Sequence, residues 1–489
     1  MNIYQRLIIY CLLIATIFFN FSLLANTQPN IIIFSFDDLR PMTKSYAVQE
    51  AITPNLDALA LDSVQFNKAY VTYPVCAQSR AAMMTGIRFE KPSKAQRKVY
   101  AANKTKGSEI YNNMISVQDT WARTFYNNGY WLGTRGKLYH GDVPSIEQDV
   151  WHVAGPQFID KKYKDGSPLI IKHIVEKGGQ SAQLEDYLAN GKGDAALIYA
   201  SINGPDTLLN DGQVADEVIA FLSKRDKTKP FIISAGFSRP HLPFVAPKKY
   251  FDLYPKDIAT LEIKPTNADI IISNDEFSNK FANKHGWNEG LSDAEAKLII
   301  RGYLASTSFA DAQMGKIITA LKEQNLYENS IILMWGDHGY HLSDHGLWRK
   351  HTPYEVATRM PMMIKAPGLS KGIQAQQLVQ NIDIYPTLLE LAGIKKTEKV
   401  TFHGKSLVPI LKSPNIGWDN IAFSSSQGSF SAITEQYRFT IGSKGKEYLF
   451  DLHADPHEWN NIVGEKKYKA LIKELKYKLS KITWNDKGT

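Results

Sequence analysis

Runs of β-branched and aromatic residues that stop at acids punctuate this chain. Asn30-Ile31-Ile32-Ile33-Phe34-Ser35-Phe36 shows no alternation of polar and apolar positions and ends in Asp37-Asp38. That pattern predicts a strand covered on both faces, with the two acids at its C-terminal end. Thr53-Pro54-Asn55-Leu56-Asp57-Ala58-Leu59-Ala60 follows with helical spacing, Thr53 as N-cap and Pro54 at the first helical position. The alternation recurs: residues 231–235 and 331–335 read as further buried strands, and residues 214–222 and 305–321 as helices preceding them. Strands and helices in this order predict an α/β sandwich, a large mostly parallel sheet between helices. Sites in such sheets gather at the carboxyl ends of strands, where Asp37-Asp38 and Asp337-His338-Gly339 fall.

Residues 437–441 and 448–452 read as a hairpin, and Leu471, Leu475 and Leu479 as the apolar stripe of a last helix. They predict a smaller C-terminal α+β subdomain over residues 411–489, after a catalytic domain over 26–410. Residues 160–192 and 254–292 lack periodicity and read as surface insertions shaping a substrate cleft. At the N-terminus, Arg6 precedes an apolar run over residues 7–24 and then Ala25, Asn26 and Thr27. This predicts a secretory signal peptide over residues 1–25 and export to the periplasm or the medium, with an uncleaved anchor as the alternative.

Charge narrows the partners. The 489 residues carry 57 Lys+Arg against 49 Asp+Glu, a net +8, which suits an anionic substrate. The basic residues are scattered apart from short runs such as 94–106 and the last helix, so no nucleic acid is expected. No later apolar run reaches membrane length, so no stable membrane partner is expected either. Of the two cysteines, Cys11 lies in the leader, which leaves Cys76 as the single cysteine of a mature chain. Such a thiol is either inert and buried or chemically employed.

Asp37, Asp38 and Asp337 at one sheet edge would repel one another unless a cation joins them. Oxygen ligation favours Ca²⁺ or Mg²⁺, and the imidazole of His338 leaves Zn²⁺ or Mn²⁺ open. The segment Cys76-Ala77-Gln78-Ser79-Arg80-Ala81-Ala82-Met83-Met84-Thr85-Gly86 resembles the signature of the formylglycine-dependent type I sulfatases. That signature is Cys or Ser, any residue, Pro, Ser and Arg, three variable positions, an apolar residue, Thr and Gly; the chain departs from it at Gln78. Further similarity lies in Gly136-Lys137-Leu138-Tyr139-His140, Arg239-Pro240-His241-Leu242-Pro243-Phe244 and residues 337–350. The stretch 448–461, with Asp455-Pro456-His457-Glu458, resembles the family's C-terminal hairpin. The combination is most similar to the iduronate-2-sulfatase branch.

The resemblance implies an alkaline-phosphatase-like fold and hydrolysis of sulfate monoesters on a polysaccharide-derived sugar, a 2-O-sulfated uronic acid among the candidates. It implies that a maturation enzyme oxidises Cys76 to formylglycine (3-oxoalanine), whose hydrated aldehyde attacks sulfur and later collapses to expel sulfate. It implies one Ca²⁺ on Asp37, Asp38, Asp337, His338 and the residue at 76, with Lys137, Lys350 and Arg80 on sulfate or its ligands. His241 would protonate the leaving alcohol and His140 would assist the nucleophile. Arg239 or Arg349 would meet an acidic sugar or else serve as a structural ion pair. A phosphoesterase or phosphonate hydrolase of the same fold, and a non-catalytic sulfated-glycan binder, are the competing readings.

Overall fold

Runs without alternation need apolar cover on both faces, and the fold supplies it. The structure is a computed structural model, and it describes residues 28–88, 119–157, 197, 199–257, 293–398, 400–426 and 428–483. The expected leader, the basic run 94–106, the insertion at 160–192 and all but the first few residues of that at 254–292 lie outside the described residues.

The main sheet contains β1 (Asn30–Asp37), β2 (Val64–Tyr70), β3 (Trp131–Gly136), β4 (Val153–Ala154), β5 (Phe231–Pro240), β6 (Ser330–Gly336), β7 (Met362–Lys365) and β8 (Ile373–Gln380). Their spatial order is β8-β2-β7-β6-β1-β5-β3-β4. Every pairing is parallel except those of β7, which runs against both β2 and β6. The longer helices among the described residues are α1 (Pro54–Leu61), α2 (Cys76–Thr85), α3 (Trp121–Asn127), α4 (Asn210–Lys224), α5 (Asp293–Glu323), α6 (Ile384–Leu391) and α7 (Lys469–Thr483). Ile31 and Ile33 of β1 face a core that includes Met83 and Met84 of α2, Trp121 and Phe125 of α3, and Leu388 of α6. Ile32, Phe34 and Phe36 face the opposite core, with Leu56 and Leu59 of α1, Val214 and Val218 of α4, and Met314 and Ile317 of α5. The expected α/β sandwich with a mostly parallel sheet is therefore what forms.

Two expectations are refined. Thr53 stands at the N-cap of α1 with Pro54 opening the helix, as expected, but its side chain makes no cap hydrogen bond; the buried carboxylate of Asp311 in α5 does so instead, accepting from the N–H groups of Asn55 (3.2 Å) and Leu56 (2.7 Å). Helix α5 also starts earlier than residue 305. Ile299, Ile300 and Tyr303 belong to a separate core with Phe244, Tyr250 and Tyr254, so the helix serves two cores in turn.

The C-terminal hairpin is part of a four-stranded antiparallel sheet, β9 (Ala422–Ser426), β10 (Ser429–Ile433), β11 (Tyr437–Ile441) and β12 (Glu447–Asp451). Ile472, Leu475 and Leu479 of α7 cover its Ala432, Phe439 and Leu449. The same sheet touches the segment after β6: Tyr448 and Phe450 pack with Leu347 and Tyr354. There His345 lies between Tyr354 (ring centroids 4.3 Å) and Trp459 (4.4 Å). Nearby, His341 places its Nδ1 3.2 Å from Asp344 O and its Nε2 2.7 Å from Thr352 Oγ1.

Two consequences are measurable. A Cβ on Gly236 of β5 would stand 2.3–2.5 Å from the backbone of Lys137, whose N–H donates to Gly236 O (2.8 Å). Gly236→Ala should cost about 1–3 kcal/mol in urea unfolding; an unchanged midpoint would show that the approach is not tight. Burial pushes the His341 pKa down to about 3 and that of His345 to about 4, with Asp344 acting weakly in the other direction. Both are thus neutral in the fold and titrate near 6.5 when unfolded, so the unfolded chain binds more protons below that pH. Stability should fall as pH drops from about 6.5 toward 4, by up to about 1.4 kcal/mol per unit for each histidine. Urea midpoints between pH 7 and 5 test this, with a shallower slope expected for His345→Gln.

Candidate active site

Because β1 and β6 are adjacent and parallel, their ends deliver Asp37-Asp38 and Asp337-His338 to one edge of the sheet. Asp38 adopts a left-handed φ of 62°, which ends the strand's alternation. Its N–H donates to Asp337 Oδ1 (3.0 Å), and its carbonyl accepts from the Tyr303 hydroxyl (2.8 Å). His338 has its Nδ1 2.8 Å from Gly339 O, which puts the ring proton there and leaves Nε2 with a bare lone pair. That Nε2 is 3.3 Å from Cys76 Sγ, 3.4 Å from Asp38 Oδ1 and 3.5 Å from Asp337 Oδ1.

Cys76 opens α2, so its side chain sits at a helix N-terminus beside the acids. Ser79 N–H closes the first helical turn on Val75 O (2.9 Å), so position 78 has no helical hydrogen bond that the family's proline would forfeit. Asn381 holds the helix in place, donating to Ser79 O and Ser79 Oγ (3.0 Å each) and accepting from Thr72 N–H (3.2 Å).

Three cations, Arg80 and Lys137 buried and Lys350 partly so, meet the three buried carboxylates. Arg80, one turn after Cys76, donates through Nε to Asp337 Oδ2 (3.0 Å) and through Nη2 to Asp37 Oδ1 (3.5 Å), and its Nη1 donates to Lys137 O. Lys137 follows β3 and crosses over β5, where Gly236 leaves room, to place Nζ on Asp37 Oδ2. Ser35 Oγ of β1 donates to Lys137 O (3.0 Å), fixing that crossing. Lys350 contacts Asp38 Oδ1 and lies 3.2 Å from Cys76 Sγ. Burial opposes ionisation of Asp37, but Lys137, His241, Arg80 and Lys350 outweigh it and hold the carboxyl well below the usual range. Burial, with the charge of Asp37 beside it, pushes the Cys76 thiol strongly upward against the pull of Lys137 and Lys350.

His241 also reaches the site. Its Nδ1 is 2.7 Å from Leu242 O, and its Nε2 is 3.8 Å from Asp38 Oδ2. Its loop hangs from buried Asp211, which accepts from the N–H groups of Ser238 and Arg239 (2.8 Å each). His140 lies near the same cations, and its buried Nδ1 has no hydrogen-bond partner among the described residues. Burial, then Lys137, drives its pKa down to about 3, so in the chain's own field it is neutral.

The geometry bears on two alternatives that the sequence left open. Arg80 grips the carboxylates Asp337 and Asp37, the ligand-holding alternative for that residue. Arg239 is a structural cation: it is 4% exposed and donates to Val245 O (3.1 Å) and His241 O (2.8 Å). The supporting residues Tyr303, Asp211, Asn381 and Ser35 carried no sequence signal, because each acts through a partner distant in the chain.

Donor atoms of Asp37, Cys76, Asp337 and His338 lie within 4.8 Å of one another, as do those of Asp38, Cys76 and His241. Carboxylate oxygens with one deprotonated imidazole nitrogen fit a divalent cation. Asp37, Asp38, Asp337 and His338 would hold it.

Known proteins resemble this chain over most of its length. The family model described as Sulfatase matches residues 29–394, and that described as N-sulphoglucosamine sulphohydrolase, C-terminal, matches residues 343–485. A sulfatase of Formosa agariphila is 31% identical, over 94% of this chain and 88% of that protein. An arylsulfatase of Clostridium perfringens is 30% identical, over 92% and 93%. The iduronate 2-sulfatase of Mus musculus is 28% identical, over 75% and 69%. Among solved structures, the phosphonate monoester hydrolase of Agrobacterium radiobacter superposes with a TM-score of 0.67 at 19% identity, over 93% and 95% of the two chains. A structure solved with its substrate D-glucosamine-2-N,6-O-disulfate superposes with 0.63 at 19% identity, over 93% and 97%. These two share the fold, while the family match and the 31% relative reach further: the chain belongs to the sulfatase family and is a sulfuric ester hydrolase.

Proposed function

We propose that the protein removes sulfate from a sulfated sugar, using a formylglycine made from Cys76 and one divalent cation, Ca²⁺ first. The observation that carries this reading is the placement of Cys76. It opens a helix at the acid edge, Lys350 Nζ (3.2 Å) and His338 Nε2 (3.3 Å) converge on its sulfur, and burial beside Asp37 pushes the thiol pKa upward. Conversion to formylglycine would supply a hydrated aldehyde whose oxygen attacks sulfur without needing a thiolate. A cation on Asp37, Asp38, Asp337 and His338 would offset negative charge on the sulfate oxygens.

The chain's own residues divide the remaining work. Lys137 and Lys350 bind sulfate oxygens by exchanging their contacts with Asp37 and Asp38 for the ester. Arg80 orients Asp37 and Asp337. His241 is partly open, its side chain 21% exposed. With Nδ1–H committed to Leu242 O, a proton on its Nε2 is the one available to the leaving alcohol. His140, whose buried Nδ1 is unpartnered among the described residues, is the candidate to accept the proton that the nucleophile loses, once sulfate draws Lys137 away.

A sugar substrate is supported by relatives named iduronate 2-sulfatase and by the fold neighbour solved with a sulfated glucosamine. The net charge of +8 suits an anionic oligosaccharide or polysaccharide, with a 2-O-sulfated uronic acid as the first compound to assay. Export by the N-terminal leader, to the periplasm or the medium, and maturation by a formylglycine-generating enzyme belong to the same reading. No helix among the described residues is long and apolar enough to cross a membrane.

The deciding experiment is mass spectrometry of the Cys76 peptide from protein made with a formylglycine-generating enzyme. The peptide should be about 18 Da lighter than its thiol form, and Cys76→Ala should lose more than about 10³-fold in kcat on sulfate esters. An intact thiol in fully active protein rejects the nucleophile, and hydrolysis of phosphonate esters in preference to sulfate esters rejects the substrate class. Separately, prolonged chelation should abolish turnover and Ca²⁺ or Mg²⁺ should restore it; activity that survives chelation removes the cation from the mechanism.

A further inference from the structure

Lys350 is delivered by a segment that is not self-supporting. Among residues 343–351, Ser343 (φ 76°), His345 (56°), Arg349 (75°) and His351 (78°) all take left-handed backbone conformations that side chains with a Cβ disfavour. Such a segment keeps one shape only when its surroundings over-determine it. Its first half is tied to the catalytic domain, since Asp344 Oδ2 accepts from Arg40 Nη1 (2.7 Å) and Leu342 N–H (2.7 Å). Its far end is tied to the C-terminal sheet.

There the buried Arg438 of β11 donates through Nη1 to Pro353 O (2.8 Å) and through Nη2 to Glu355 Oε2 (2.5 Å). Its Nε lies 2.6 Å from Glu458 Oε1, off the hydrogen-bond direction, as an ion-pair contact. Glu458 Oε2 in turn accepts from Glu355 N–H (2.6 Å), and Tyr70 OH donates to Glu355 Oε1 (3.1 Å). Pro353 is three residues from Lys350, and Tyr354 beside it stacks on His345, so the clamp grips the segment on both sides of the lysine.

We propose that the Arg438–Glu458 pair is a positioning device for Lys350: the C-terminal subdomain sets the place of this ammonium in the active site. The proposal rests on the sulfatase reading of Lys350 as a sulfate ligand, and it adds that two residues of another subdomain act on the reaction through it. Arg438 and Glu458 touch neither Cys76 nor the acid cluster; Arg438 also lies over the Tyr70 ring (5.8 Å), and the comparison with and without Lys350 separates an effect passed through the segment from one passed through Tyr70.

The test is a double-mutant cycle in the full-length, formylglycine-containing protein, with hydrogen exchange as a readout independent of activity. Arg438→Met should lower kcat/KM by about 10- to 100-fold, the size expected for a misplaced catalytic contact. In a Lys350→Met background the same change should matter by less than about 2-fold, because the group it positions is already gone. Arg438→Lys should recover part of the loss. Peptides over residues 341–352 should exchange faster in Arg438→Met, with peptides of β1 and β6 unchanged. A purely structural role predicts equal losses with and without Lys350 and exchange that quickens everywhere, and either result overturns the proposal. If Arg438→Met does not fold, Glu458→Gln, which keeps the acceptor for Glu355 N–H, takes its place in both arms. Wild-type protein inert toward every sulfate ester would defeat the functional reading, and the exchange pattern would then decide the positioning claim alone.

Discussion

Three carboxylates buried at one sheet edge are the constraint from which the rest of the site follows. Asp37, Asp38 and Asp337 are each nearly inaccessible to water, and neighbouring like charges in such a place cannot all stay ionised without compensation. The chain brings one cation from each of three places: Arg80 from α2, Lys137 from the end of β3 and Lys350 from the segment after β6. Three negative and three positive groups leave the cluster formally neutral. On the proposed reading a divalent cation would bring two positive charges and the sulfate monoester one negative charge, so the occupied site would stay within one charge of balance as the lysines turn from the carboxylates to the anion. The close approach at Gly236, the left-handed turn at Asp38 and the clamped segment around Lys350 all bring charge to this edge.

Much of this was legible in the sequence where chemistry and local pattern coincide. The unalternating runs ending at Asp37 and before Asp337 mark central strands, because only a strand covered on both faces tolerates them. The spacing from Cys76 to Arg80 is one helical turn, so both address the same edge. What stayed hidden lies in pairs distant along the chain. Asp311 caps a helix that begins at Pro54, Asp211 suspends the loop of His241, and Tyr303 braces Asp38. An aspartate inside a long helix and a tyrosine on its apolar stripe look like ordinary solvated or core residues until the fold brings their partners near. Arg239 was ambiguous for the same reason, since nothing local distinguishes an arginine that meets a ligand from one that holds its own loop.

The burial of Cys76 bears on why a modified residue suits this position. Ionising the thiol would add a fourth negative charge beside Asp37, in a place where burial already penalises it, and Lys137 and Lys350 pull only part of the way back. A neutral nucleophile avoids that cost, because it enters the cluster without upsetting the balance of three against three. On the proposed reading, formylglycine offers an oxygen nucleophile that is uncharged until the reaction itself removes a proton, and the unpartnered Nδ1 of His140 is the atom left to take it. The features that make the thiol inert, burial and an adjacent carboxylate, are then the ones that make its oxidised form useful. Moving Cys76 to a solvated position would ease ionisation of the thiol but would part position 76 from Lys350 and His338, so the burial that raises the thiol pKa comes with the placement that brings these groups to it.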